Sequence, residues 1–316
     1  MQTRTFGPNA LINDRAAFGT MQFGGRADAA QSEAMYRACR DAGIVMFDTA
    51  HDYTGGASET LLGQFIANER EQIILVTKVA AKGGSGRDNI KSQFNESLRR
   101  LNQDYVDVLF LHRWDPNTPL EETLEACEEL RAAGQIHHLG VSNFSAWQTM
   151  KARAVAEREG FQPLDILQPM YNLVKRQVEV EILPMALSED MAVIGYSPLG
   201  GGLLTGKYAA ASASGRLVED QMYEKRYGSK WMHDAAIELS AIAARQGVHP
   251  ATLAVAWAGL HAGITAPIIS AKTVEQLQPS LAALTFDMPQ AVKSELDGLV
   301  SAPPPATDRL EELSTP

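Results

Sequence analysis

Cysteine is scarce in this chain: Cys39 and Cys127 are the only two in 316 residues. Two thiols cannot supply a disulfide framework, and both fall on apolar faces of expected helices, as buried free thiols in a reducing compartment do. Positive charge is also short. With 28 Lys and Arg against 38 Asp and Glu, the formal net charge is -10. No broad positive field is left to hold a phosphate backbone, so nucleic acid is not an expected partner. A basic pocket for a phosphorylated cofactor needs only a few Lys or Arg and stays open. No stretch approaches the roughly 18 apolar residues of a membrane span, and the opening residues MQTRTFGP hold no apolar leader. The expected location is therefore cytoplasmic, with no membrane partner. Metal-binding patterns are missing too. His51, Asp52 and His112 near strand ends come closest, but their spacing matches no helix pair or cysteine cluster, and no metal is expected. His137 and His138 begin a strand, where successive side chains diverge, and are read as structural.

What the chain does have is a regular alternation. With 45% hydrophobic and 21% charged residues it is globular in composition. Short apolar runs at residues 16–21, 44–47, 73–77, 105–111, 138–141, 165–168, 192–196 and 266–270 read as strands. Helical patterns separate them. Met35, Cys39 and Ala42 share one face; Leu61, Leu62, Phe65 and Ile66 another; Ile90, Phe94, Leu98 and Leu101 a third, with Asp88 as its expected cap. Thr118 with Glu121 reads as a capping box with Pro119 at the first helical position, and Ser145 with Gln148 as a second box. Further helices are expected at 178–188, 232–246, 250–262 and 273–284. Eight such units imply an all-parallel sheet closed on itself: an α/β fold, a (β/α)8 TIM barrel, a single domain over 1–316 with a long loop after strand 7. That loop, about 205–230, carries Tyr208, Gly215, Tyr223, Tyr227 and Gly228 among charges. It reads as a mobile cover over a site, or otherwise as a solvated surface loop.

In such barrels chemistry sits at the C-terminal ends of the strands. Asp48, Lys78 and His112 each close an apolar run there, and Tyr53 follows Asp48 closely. A carbonyl that accepts a hydride leaves an alkoxide needing a proton, and a tyrosine with pKa about 10 gives one slowly. Lys78 beside Tyr53 is expected to lower the phenol's pKa, Asp48 to keep Lys78 charged, and His112 to orient the carbonyl. Taken alone, Asp48 and Lys78 also fit a structural salt bridge. A Schiff-base role for Lys78 would need it neutral and unpaired.

These residues, with Phe47-Asp48-Thr49-Ala50, Thr77-Lys78, Leu111-His112, Gly140-Val141-Ser142-Asn143-Phe144, Gln168 and Gly195-Tyr196-Ser197-Pro198-Leu199-Gly200, resemble the aldo-keto reductases over nearly the whole chain. The resemblance implies a bacterial-type sugar or aldehyde reductase, with Tyr53 as general acid, Lys78 and Asp48 as its tuning pair, and His112 on the carbonyl. It implies that Ser142, Asn143 and Gln168 hold the nicotinamide carboxamide, that Tyr196 stacks on the ring, and that Ser197, Leu199, Gly201 and Lys207 meet the pyrophosphate. Ser270, Lys272, Thr273 and Gln276 would take the adenosine phosphate. NADPH (NADP+) is the expected cofactor, with NADH as the alternative, because Pro279 and Ser280 stand where the family carries an acidic residue and Asn for adenine. Met21, Arg113, Trp114 and Tyr171 are the expected substrate contacts, with Met170 beside them. The substrate would be a small polar carbonyl compound such as an aldose. The rival implication is a cofactor-binding, partner-binding subunit of the potassium-channel beta type. Oligomeric state is left open.

Overall fold

A computed structural model describes residues 4–6, 10–12, 16–209 and 215–313. Strands β1 (Arg4–Phe6) and β2 (Ala10–Ile12) pair antiparallel ahead of the main body. The sequence reading leaves this stretch as a polar lead-in, since three residues are too few for alternation to show.

Then strand and helix alternate. The first half runs β3 (Ala17–Gly19), α1 (Ala29–Asp41), β4 (Met46–Asp48), α2 (Ala57–Ile66), β5 (Ile74–Val79), α3 (Arg87–Leu101), β6 (Val106–Leu111) and α4 (Leu120–Ala132). It continues with β7 (Ile136–Ser142), α5 (Ala146–Glu159), β8 (Ile166–Gln168), α6 (Ile182–Ser188) and β9 (Ala192–Tyr196). Helices α7 (Arg216–Glu219), α8 (Gln221–Tyr227), α9 (Lys230–Arg245) and α10 (Pro250–Gly259) precede β10 (Ala266–Ile269), α11 (Val274–Ala282) and α12 (Gln290–Asp297). Strands β3 to β10 pair in parallel, each with the next, and β10 returns to β3, so the expected eight-stranded barrel is closed.

The strands alternate between two cores. Met46, Val76, Phe110, Ile166, Ile194 and Ile268 point into the barrel, whereas Phe47, Leu75, Leu109, Val141, Leu167 and Val193 pack beneath the helices. Both faces being apolar explains why the strands read as continuous hydrophobic runs. At Gly140 the interior is full: a Cβ there would lie 2.4 Å from the Phe110 ring and 2.6 Å from Ile166.

The Ser145–Gln148 capping box is present with both of its hydrogen bonds. Three local expectations are corrected. Gly86, not Asp88, is the N-cap of α3, and Glu122 accepts from the Arg87 amide there at 3.0 Å. Pro119 is the N-cap of α4, while the Thr118 hydroxyl donates to Asp115 at 2.6 Å, so no second box forms. The 205–230 insertion is not a bare loop. It follows a 3-10 turn at Gly200–Thr205 and contains another at Lys207–Ala209 and the helices α7 and α8, with residues 210–214 outside the described ones. Tyr223 and Tyr227, four apart, give α8 a buried face.

Cys39 and Cys127 are buried free thiols, and burial pushes both pKa values up, that of Cys127 to about 12. His138 approaches Asp165 at 2.8 Å and His137 approaches Asp107 at 3.6 Å, so the two rings serve different carboxylates. Among the described residues no helix is long and apolar enough to cross a membrane.

Candidate active site

Inward parity continues past the last apolar residue of each strand. Stepping by two from the barrel interior leads from Met46 to Asp48, Val76 to Lys78, Phe110 to His112, Ile166 to Gln168, Ile194 to Tyr196 and Ile268 to Ser270. Polar side chains from six strands thus converge at one mouth. They open onto a cleft of about 960 Å3 whose walls include Asp48, Tyr53, His112, Ser142, Gln168 and Tyr196.

Lys78 lies beneath this cleft, fully buried. Its ammonium donates to Asp48 Oδ2 at 2.6 Å, to the Thr49 carbonyl at 2.7 Å and to the Tyr53 hydroxyl at 3.2 Å. All three N–H groups are used. The other Asp48 oxygen accepts from Gln168 Nε2 at 2.8 Å. Burial opposes the charge on Lys78, but Asp48 and Tyr53 outweigh it and hold its pKa above the ordinary lysine value. An ammonium so paired is unsuited to Schiff-base chemistry.

At Tyr53 the expected effect of Lys78 is present but outweighed. Burial holds its pKa above the ordinary tyrosine value, and the charge of Lys78 pulls it back without overcoming burial. The phenol therefore keeps its proton, and Lys78 acts by stabilising the phenolate if that proton leaves. The His112 ring stands edge-on to Tyr53 with centroids 6.0 Å apart. Burial, then the charges of Lys78 and Arg113, push its pKa down to about 3, so the imidazole is neutral. Its Nδ1 is buried without a partner.

The remaining mouth residues fit a nicotinamide cofactor. Ser142 donates to the Gln168 carbonyl at 2.9 Å, Asn143 donates to Ser142 and to the His112 carbonyl at 3.0 Å each, and Tyr196 donates to Asn143 at 2.7 Å. This network fixes amide and hydroxyl groups around one aromatic face. Asn143 and Ser197 have left-handed backbones, with φ of 59° and 60°. Such conformations in non-glycine residues cluster where structure is held for a purpose. Leu199, Gly201, Lys207, Lys272 and Gln276 line the same cleft, and so does Ser270, whose buried hydroxyl has no partner. The orphaned hydroxyl and the amines of Lys207 and Lys272 suit a phosphorylated ligand.

Several residues lie elsewhere. Thr273 does not line the cleft; its hydroxyl caps α11, accepting from the Gln276 amide at 3.3 Å. Among the expected substrate contacts, Met21 and Arg113 line the cleft, whereas Trp114 and Tyr171 do not. Trp114 packs edge-on against Phe144 and Trp147. Tyr171 is buried outside the barrel, stacked on Trp257 with its hydroxyl on Glu179 at 2.7 Å, because its parity faces the helix layer. Met170 is also absent from the lining; its sulfur accepts from Tyr227 at 3.3 Å. Met222 and Arg226 of α8, Glu275 of α11 and His249, which caps α10, also line the cleft and are not named individually from sequence. Met222 and Arg226 lie in the 205–230 insertion expected to cover a site, His249 is followed by the proline that marks a helix start, and Glu275 carries no signal.

The model of the aldo/keto reductase family matches residues 15–301. The uncharacterized oxidoreductase YrpG of Bacillus subtilis is 31% identical over 323 residues, covering 96% of this chain and 97% of its own. Aflatoxin B1 aldehyde reductase member 2 of Homo sapiens is 33% identical, covering 85% of this chain and 81% of its own. A probable voltage-gated potassium channel subunit beta of Arabidopsis thaliana is 32% identical, covering 90% and 91%. With its barrel, its mouth chemistry and a family match along nearly its whole length, the chain belongs to the aldo/keto reductases, a family of oxidoreductases that reduce carbonyl groups with nicotinamide cofactors.

Proposed function

We propose that this chain reversibly reduces a small polar aldehyde or ketone, an aldose in its open form or a related compound, using NADPH in preference to NADH. The observation that carries the reading is the contact of the Lys78 ammonium with the Tyr53 hydroxyl at 3.2 Å, anchored by Asp48 at 2.6 Å. The bound cofactor supplies the hydride. Tyr53 delivers the proton to the carbonyl oxygen, Lys78 stabilises the phenolate left behind, and neutral His112, edge-on to Tyr53, orients the carbonyl. Gln168 serves both sides of the site, since its Nε2 holds Asp48 and its Oε1 is left for the carboxamide amine, alongside Ser142 and Asn143. Tyr196 would cover the ring; Ser197, Leu199, Gly201 and Lys207 would meet the pyrophosphate. Ser270, Lys272 and Gln276 favour NADPH, because an ammonium meets the adenosine phosphate dianion.

The substrate class rests on the rim. Met21, Arg113, Met222, Tyr223 and Arg226 line the outer cleft, mixing apolar surface with two guanidinium groups. Such a wall suits a compound bearing hydroxyls or an anionic group. Two buried thiols agree with the cytoplasm as the place of reaction.

The test is NADPH and NADH consumption with a panel of aldoses and simple aldehydes, for the native chain and Tyr53→Phe. Native turnover that drops about 100- to 10,000-fold in the variant supports the assignment; equal turnover in both removes Tyr53 from it. The similarity to a channel beta subunit supports a second reading, a cofactor-bound subunit serving a partner protein. Tight NADPH binding with no turnover of any carbonyl would favour it.

A further inference from the structure

The turn that carries Tyr53 has an uncommon backbone. Thr54, Gly55 and Gly56 follow the catalytic residue with φ of 49°, 65° and 96°, a left-handed run. Thr54 ties down its middle, donating to the Phe23 carbonyl at 2.8 Å and accepting from the Ser58 amide at 3.0 Å. The two ends of the turn are held by a different residue.

Arg100, near the end of α3, reaches into this turn from behind. Its Nη1 donates to the His51 carbonyl at 2.8 Å, two residues before Tyr53, and to Glu59 Oε2 at 3.1 Å. Its Nε donates to Glu96 at 3.0 Å, which holds the guanidinium in plane. Gly56, three residues after Tyr53, lies against the same guanidinium: a Cβ there would come within 2.5 to 2.8 Å of it. Glu59 is fully buried and accepts from the Thr77 hydroxyl at 2.7 Å through its other oxygen. Thr77 immediately precedes Lys78 and faces outward where Lys78 faces inward. One guanidinium therefore touches both ends of the Tyr53 turn and, through a single buried carboxylate, the strand that bears Lys78.

We propose that Arg100, acting with Glu59, is a positioning residue that sets the separation between the Tyr53 hydroxyl and the Lys78 ammonium. It touches neither substrate nor cofactor. The proposal rests on the reading of Tyr53 as the proton donor. The fork shape is what matters: a lysine would keep the charge but could not bind the His51 carbonyl, Glu59 and Glu96 together. A shift of about 1 Å at a proton-transfer contact is enough to cost about a hundredfold in rate.

The test compares native chain, Arg100→Lys, Arg100→Ala and Tyr53→Phe, with folding checked by circular dichroism and NADPH binding by fluorescence. We expect kcat to fall about 10- to 100-fold in both Arg100 variants, with KM and the cofactor dissociation constant within about twofold of native. Guanidinium ion should restore part of the rate in Arg100→Ala, whose side-chain site is 18% exposed, and none in Tyr53→Phe. If Arg100→Ala does not fold, Arg100→Lys decides by its split between kcat and KM. Unchanged kcat in a folded variant, or a loss confined to KM or cofactor binding, overturns the role of Arg100 alone. If the native chain turns over no carbonyl, the assignment of Tyr53 fails and this one falls with it.

Discussion

His112 spends stability to stay uncharged. Its pKa is pushed down to about 3 from 6.5 by burial and by the charges of Lys78 and Arg113. Between those two values the unfolded chain binds a proton that the folded chain refuses, so this residue makes the protein less stable as pH falls from about 6.5 toward 3 and has no such effect above. Replacing it by asparagine should flatten the acid side of the stability profile. Denaturant midpoints at pH 7 and pH 4.5 measure this, and equal drops in native chain and His112→Asn would contradict the assignment. The same neutrality means that the hydrogen-bonding character of this ring does not change on mild acidification. Residue identity was readable here from strand-end position, whereas the sign of the Tyr53 shift was not. Sequence names the ammonium that lowers a phenol's pKa, but the burial that raises it further appears only once the barrel mouth is assembled.

Elements of this barrel are held to tight tolerances both inside, at Gly140, and in the helix layer, where a Cβ on Gly63 of α2 would lie 2.1 Å from the Leu101 carbonyl oxygen. Gly140 in β7 faces a filled interior, so Gly140→Ala should destabilise by about 1–3 kcal/mol through overpacking, and Phe110→Leu in the same chain should recover part of the loss. Urea denaturation of the single and double variants gives the comparison; no recovery would mean that Ile166, not Phe110, is the limiting neighbour. Strands and the Ser145 box were legible because apolar runs and capping pairs are local signals. The helix α8 was not, since its buried tyrosines sit among charges and only docking onto the barrel gives them something to cover. Trp114 and Tyr171 were misplaced for a related reason: nearness in sequence to a strand end does not say which side of the wall a loop residue takes.

At the scale of the whole molecule, a cleft this large makes stability depend on what fills it. NADPH at a hundred times its dissociation constant should add about 2.7 kcal/mol, raising Tm by about 4 °C. Lys272→Ala should shrink that shift for NADPH and leave the NADH shift in place; a loss common to both cofactors would take Lys272 off the phosphate. The alternation that aims six strands' polar ends at one mouth carries an evolutionary consequence. Deleting a single codon within β5 ahead of Lys78 would turn the ammonium out under the helices and bring the apolar Val79 into its place at the mouth, while the same deletion in the insertion that carries α7 and α8 would leave the phase of every strand untouched. Drift in length is thereby channelled into the segment that walls the outer cleft, and the groups around Tyr53 are kept in frame while that wall changes.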